Sequence, residues 1–176
     1  MYVDLDVRYA ADARKVAELG FSSFRSPFIL DVVKAADVRR APKDAELVVA
    51  CSSDVELLRE AAKNPNVDLL YSKQFDVDIG LIRDSAEKKK PFEIPVALIL
   101  ESEGVIRASL MGRMRYFIKQ CVKLRAPLAI VSQARDEFGL KTPREMIAIG
   151  ESLGLTHDQA DWAVSETPEM VLHARS

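Results

Sequence analysis

A chain of 176 residues with 48% apolar content is long enough to bury one substantial core, and a formal net charge of -2 excludes a generally basic protein, so any polyanion binding must be local. No apolar run approaches the ~20 residues of a membrane helix and no signal-peptide pattern opens the sequence, which predicts one cytoplasmic domain over residues 1–176 without membrane attachment. Cys51 and Cys121 stand far apart in apolar surroundings without metal-ligand spacing and read as small buried hydrophobes.

In chain order, Tyr2 to Val7 reads as a strand and Asp12 to Leu19 as a helix capped by Gly20; Phe21 to Phe24 reads as a short strand, while Phe28 to Ala36 carries no decisive pattern. Glu46 to Cys51 is a strand. Ser53 and Glu56 form a capping box for a helix to Ala62, stopped by Asn64 and Pro65. Val67 to Tyr71 is the next strand, Ile79 to Lys89 a helix, and the apolar run Ile94 to Leu100 a strand. From Ala108 to Leu124, Leu110, Met114, Phe117, Cys121 and Leu124 recur at helical spacing, with Arg115, Lys119 and Lys123 opposite. Leu128 to Ser132 is a strand; Thr142, Pro143 and Glu145 open a helix that Gly154 closes. Thr156 to Trp162 predicts a short helix and Glu169 to His173 a last strand or turn. This alternation predicts a mostly parallel α/β sheet, open or barrel-like, and too short for a full eight-unit barrel of ~250 residues.

Charge is unevenly distributed. Between Arg107 and Arg144, nine Lys or Arg residues meet only Asp136 and Glu137, a local excess of +7 that suggests a polyanion partner. Basic residues also follow the predicted strands, at Arg8, Arg25, Lys73, Arg107 and Arg135, where α/β folds gather binding groups on one face. Asp4, Asp6, Glu101 and Glu103 lie near the same strand ends, where they would either pair with those cations or form a carboxylate site for Mg²⁺. Lys88 to Lys90 complement a helix dipole. Walker, GxGxxG, HExxH and GxSxG motifs are absent, and His157 and His173 read as surface residues.

Four segments carry a further signal: the opening YVDLDV at Tyr2 to Val7, the basic helix Arg107 to Leu124 with Arg113, Arg115 and Lys119, the IVSQAR strand and turn at Ile130 to Arg135, and the tail Gly150 to Val171. Together they resemble component three of ribonuclease P, the archaeal counterpart of the eukaryotic thirty-kilodalton subunit. The resemblance implies a trimmed βα barrel of TIM type, related to the polymerase-and-histidinol-phosphatase superfamily. It implies an RNA-binding subunit that assists a catalytic RNA in removing the 5′ leader of precursor tRNA, with Mg²⁺ held by the RNA and no cofactor or catalytic residue on the protein.

Implied partners are the ribonuclease P RNA, precursor tRNA and a small ferredoxin-like protein subunit in a heterotetramer, for which exposed Phe28, Ile29 and Leu30 are interface candidates. The expected RNA-facing residues are Arg107, Arg113, Arg115, Lys119 and Arg135, followed by Arg8, Arg25 and Lys73. The related metal phosphoesterases open on Asp-Leu-His-x-His, where this chain has Asp4, Leu5, Asp6, Val7 and Arg8. Both histidines are replaced, which argues against the alternative of a metal-dependent phosphoesterase. The other alternative is a protein scaffold that makes no RNA contact.

Overall fold

The computed structural model describes residues 1–175. Five parallel strands, β3 (Phe28–Asp31), β4 (Val48–Ser52), β5 (Leu69–Ser72), β6 (Phe92–Pro95) and β7 (Leu128–Val131), stand side by side in chain order. A two-stranded parallel pair, β1 (Val3–Asp4) and β2 (Ser23–Phe24), completes the circuit. Past β7 the backbone bonds to the continuation of β1, with Gln133 N–H donating to the Asp6 carbonyl at 2.9 Å and Arg8 N–H to the Ala134 carbonyl at 2.8 Å. On the far side, β2 runs into β3 through Arg25, Ser26 and Pro27 alone, with no crossover helix, so both act as one stave. The result is a trimmed βα barrel, as expected.

Alternation along the strands sorts the core into lumen and shell. Val49 of β4, Leu69 of β5, and Ala129 and Val131 of β7 meet Val3, Leu5 and Leu47 inside the ring. Val48, Ala50, Leu70, Phe92 and Ile130 face outward onto the helices. The largest covering element is α6 (Gly104–Lys123), whose stripe Leu110, Met114, Phe117 and Cys121 is buried as its spacing predicted. Phe117 packs edge-on against Phe92 and Phe75, with ring centroids 5.0 and 5.8 Å apart. The other helices are α1 (Ala13–Glu18), α2 (Ala35–Val38), α3 (Val55–Lys63), α4 (Ile79–Lys88), α5 (Val96–Glu101), α7 (Pro143–Ser152), α8 (His157–Val164) and α9 (Glu166–Arg175). Gly150 lets α7 approach β7 and α8: a Cβ there would lie 2.7 Å from Ile130 Cδ1 and 2.9 Å from Ala160 Cβ.

Three local expectations need correction, and one open segment takes a definite form. The run Ile94 to Leu100 is not one strand. Ile94 and Pro95 pair with Ile130 and Val131, then the chain turns into α5, burying Val96 and Ile99 three residues apart and exposing Leu100; a short apolar run does not distinguish the two periods. Glu169 to His173 lies in α9, with Pro168 in the first turn, where no N–H is needed, and Val171 plugging the lumen. The cap of α3 is Asp54, which accepts from Glu56 N–H and Leu57 N–H, rather than Ser53. The undecided Phe28 to Ala36 contains β3 and the start of α2. Among the described residues no helix is long and apolar enough to cross a membrane.

Candidate nucleic-acid interface

At the carboxyl end of the barrel, β1 is interrupted after Asp4, and its chain carries three polar side chains into the top of the lumen. Asp4 accepts from Ser132 N–H at 3.2 Å and from Asp6 N–H at 3.3 Å. Asp6 is fully buried and is gripped by the Arg8 guanidinium, with Nη2 2.9 Å from Oδ2 and Nε 3.1 Å from Oδ1. From β6, Glu93 reaches the same region and accepts from Gln133 Nε2 at 3.2 Å, while its Oε1 has no partner among the described residues. Asp6 and Glu93 thus share the field of one guanidinium, while Asp4 is held by backbone N–H groups. Burial raises Asp4 to about 7 and holds Glu93 well above the carboxylate range, with the Asp6 charge adding to both shifts. Burial likewise lifts Cys51 to about 11, and Tyr71 to about 12 with a contribution from the Glu93 charge.

Asp6 and Arg8 stand at the two sequence positions where the Asp-Leu-His-x-His pattern has its histidines. Here the guanidinium of Arg8 lies on the carboxylate of Asp6, and Glu101 and Glu103 stand exposed on the α5–α6 corner, so the four acids of the Mg²⁺ alternative do not converge. Among the described residues no group of three or more His, Cys, Asp or Glu could hold a metal ion.

Seven of the eight expected RNA-facing residues fall into three groups, and Arg25 stands apart. Arg8 and Lys73 are at the mouth but paired, Arg8 with Asp6 and Lys73 with Asp31 at 2.7 Å, so acidic neighbours cancel much of their field. Arg107, Arg113 and Arg135 belong to the same end and keep exposed guanidinium groups. Arg107 Nε donates to the Ser102 carbonyl at 2.6 Å, Arg113 Nη1 to Gln74 Oε1 at 3.0 Å, and Arg135 has no ion-pair partner among the described residues. Arg115 and Lys119 lie elsewhere, on the flank of α6 that faces α7, where Arg115 Nε donates to the Ser152 carbonyl at 3.0 Å and Lys119 borders a recess with Leu153 and Gly154.

Arg25 does not join the mouth. Because β2 continues directly into β3, residue 25 is mid-stave instead of at a strand end; its side chain pairs with Glu46 at 2.8 Å and shares a recess with Lys43 and Arg175, next to the segment that leads into β4. Reading the sequence for cations missed Glu93 and Gln133. A charged residue between Phe92 and Ile94 was the available signal for Glu93, since a carboxylate inside an apolar strand demands a partner.

The chain is 26% identical over 140 residues to ribonuclease P protein component 3 of Methanothermobacter thermautotrophicus, covering 77% of this chain and 57% of that protein. It is 32% identical over 118 residues to component 3 of Methanosarcina acetivorans, covering 65% and 49%. These matches span about half the length of those relatives. An alignment with component 3 of Methanococcoides burtonii, at 23% identity over 212 residues, takes in 99% of this chain and 88% of that protein. In fold, the chain resembles one in a cryo-EM structure of archaeal ribonuclease P with mature tRNA, with a TM-score of 0.75 and 18% identity over 98% of this chain and 80% of that one. Residues 29–176 match the family model described as RNase P subunit p30, and with most of its length inside that match the chain belongs to the RNase P p30 family.

Proposed function

We propose that this chain is an RNA-binding subunit of ribonuclease P that assists a catalytic RNA in cutting the 5′ leader from precursor tRNA. The observation that carries the reading, given the family, is the Arg8–Asp6 pair at the barrel mouth. A guanidinium 2.9 Å from a fully buried carboxylate places a fixed positive charge beside Asp6, which favours hydrolysis supported by Mg²⁺ in the RNA over a phosphoesterase built into the protein. The protein then contributes charge and shape. Arg107, Arg113 and Arg135 present exposed cations at one end of the barrel and form the proposed phosphate-contacting set, with the paired Arg8 and Lys73 secondary. The proposed partners are the ribonuclease P RNA, precursor tRNA and a ferredoxin-like protein subunit in a heterotetramer, in the cytoplasm.

The test is cleavage of precursor tRNA by the cognate RNA at limiting Mg²⁺, with and without this chain and its protein partner. Stimulation that requires the RNA, and an increased Mg²⁺ requirement when Arg107 and Arg135 are both replaced by Ala, are expected. Cleavage by the protein alone would overturn the reading in favour of the phosphoesterase, and stimulation indifferent to the two arginines would favour a scaffold without RNA contact.

A further inference from the structure

Helix α6 ends far from the barrel mouth, and its last turn borders an unfilled groove. A recess of about 400 Å³ opens between α6 and α8, with Val122, Pro127, Leu128, Leu155 and Ala163 in its walls and Trp162 beside them. A second recess of about 370 Å³ shares Val122 and continues up the flank past Lys119 and Arg115. Trp162 is 60% exposed and Val122 37%, a high exposure for an indole beside aliphatic walls. Nothing in the RNA reading uses them.

The two lips differ in charge. The α6 side carries Lys119 and Arg125, neither with an ion-pair partner among the described residues, and the α8 side carries Asp158. Arg125 adopts φ 58°, a conformation sterically disfavoured for a side-chain-bearing residue, where the chain leaves α6; the Ala126 N–H bond to the Cys121 carbonyl, at 2.9 Å, fixes that turn. The cation is therefore built into the edge of the groove.

We propose that this groove docks a segment of a partner protein: an amphipathic stretch that inserts a bulky apolar side chain beside Trp162 and places acidic residues along Lys119 and Arg125. The proposal rests on the reading of the chain as a subunit of a larger RNA–protein enzyme. Charge alone would also suit RNA, but two features favour protein. The recess is concave and its walls are mostly aliphatic, the shape of a pocket for a hydrophobic anchor. Asp158 on the opposite lip repels a phosphate chain but suits a partner with mixed charges. On this assignment Arg115 and Lys119 serve a protein contact, and α6 divides its cations between two partners, Arg113 facing the β5–α4 loop and Arg115 and Lys119 facing the end of α7.

A photoreactive amino acid placed at Val122 in the full chain, assembled with the cognate RNA and protein subunits, tests this directly. The expected product is an adduct to an acidic, apolar-containing peptide of another protein subunit. In the same assembly Trp162→Ala should weaken that protein contact about thirtyfold or more while the isolated chain unfolds as before. Adducts to RNA or only to a second copy of this chain, or an unchanged affinity in the Trp162 variant, would overturn the assignment while leaving the subunit reading intact. Failure of the unsubstituted chain to assemble with the RNA and its proteins would overturn both.

Discussion

The two surfaces that α6 touches contain the same kinds of residue in opposite electrostatic states. At the barrel mouth, Arg8 and Lys73 are held by Asp6 and Asp31, and buried acids outnumber the guanidinium available to them. On the far flank, Lys119, Lys123 and Arg125 face solvent with no ion pair among the described residues. A count of basic residues near strand ends therefore overstates the field at the mouth. What decides it is whether a carboxylate from another strand reaches the same place, and the barrel geometry brings Asp31 of β3 to Lys73 after β5 across 42 positions of sequence.

Removing the cation most deeply engaged at the mouth would test this contrast with the largest effect. Arg8→Ala leaves Asp6 and Glu93 buried without a guanidinium, and should cost about 3–5 kcal/mol in urea unfolding at neutral pH; a loss below 1 kcal/mol would mean that the mouth is not a structural charge cluster. Asp4→Asn comes next. Because the folded protein holds Asp4 near 7, well above its unfolded value, the folded state binds more protons between those two limits, so Asp4 makes stability fall as pH rises from about 4 to about 7. The variant should remove about 2–4 kcal/mol of that fall, read as the difference between the two pH–stability curves; parallel curves would refute the buried-charge account. The smallest expected effect on folding is at the exposed residues. Arg135→Ala should change stability by less than about 0.5 kcal/mol yet lower the slope of log affinity for the RNA against log salt by about one unit; an unaltered slope would remove Arg135 from the RNA contacts.

Much of the fold could be read from the sequence because its strongest signals are local. The stripe of α6, the Thr142–Glu145 capping box of α7 and the glycines at 20 and 154, both at positive φ, are all properties of a few neighbouring residues. Expectations failed where long-range placement decides. Ile94 to Leu100 is uniformly apolar, and only β7, by pairing with Ile94 and Pro95 and then ending, makes its second half turn away as a helix. Arg25 looked like a residue beyond a strand end, and the missing crossover between β2 and β3 put it in the middle of a stave. Of the candidate site, the cations were legible by type, and their neutralisation was not, since Asp31 and Lys73 meet only once the barrel closes. The Trp162 groove had no sequence signal apart from a large aromatic on a short helix.

The stave made of β2 and β3 has a dynamic consequence. Within the five-stranded sheet β4, β5 and β6 each lie between two paired strands, whereas the ring closes at β7 through the single bridge of Val7 to Ala134 and at this stave through a two-residue ladder to β1, three residues before the chain changes partner. A ring opens at its weakest seam. Amide protons of Val7 and Arg25, whose bonds to Arg25 and Asp4 tie that seam, should exchange with solvent well before those of β4 and β5. The same seam is the least costly place to lengthen the barrel, and additional chain inserted there could supply the crossover helix that this short version does without.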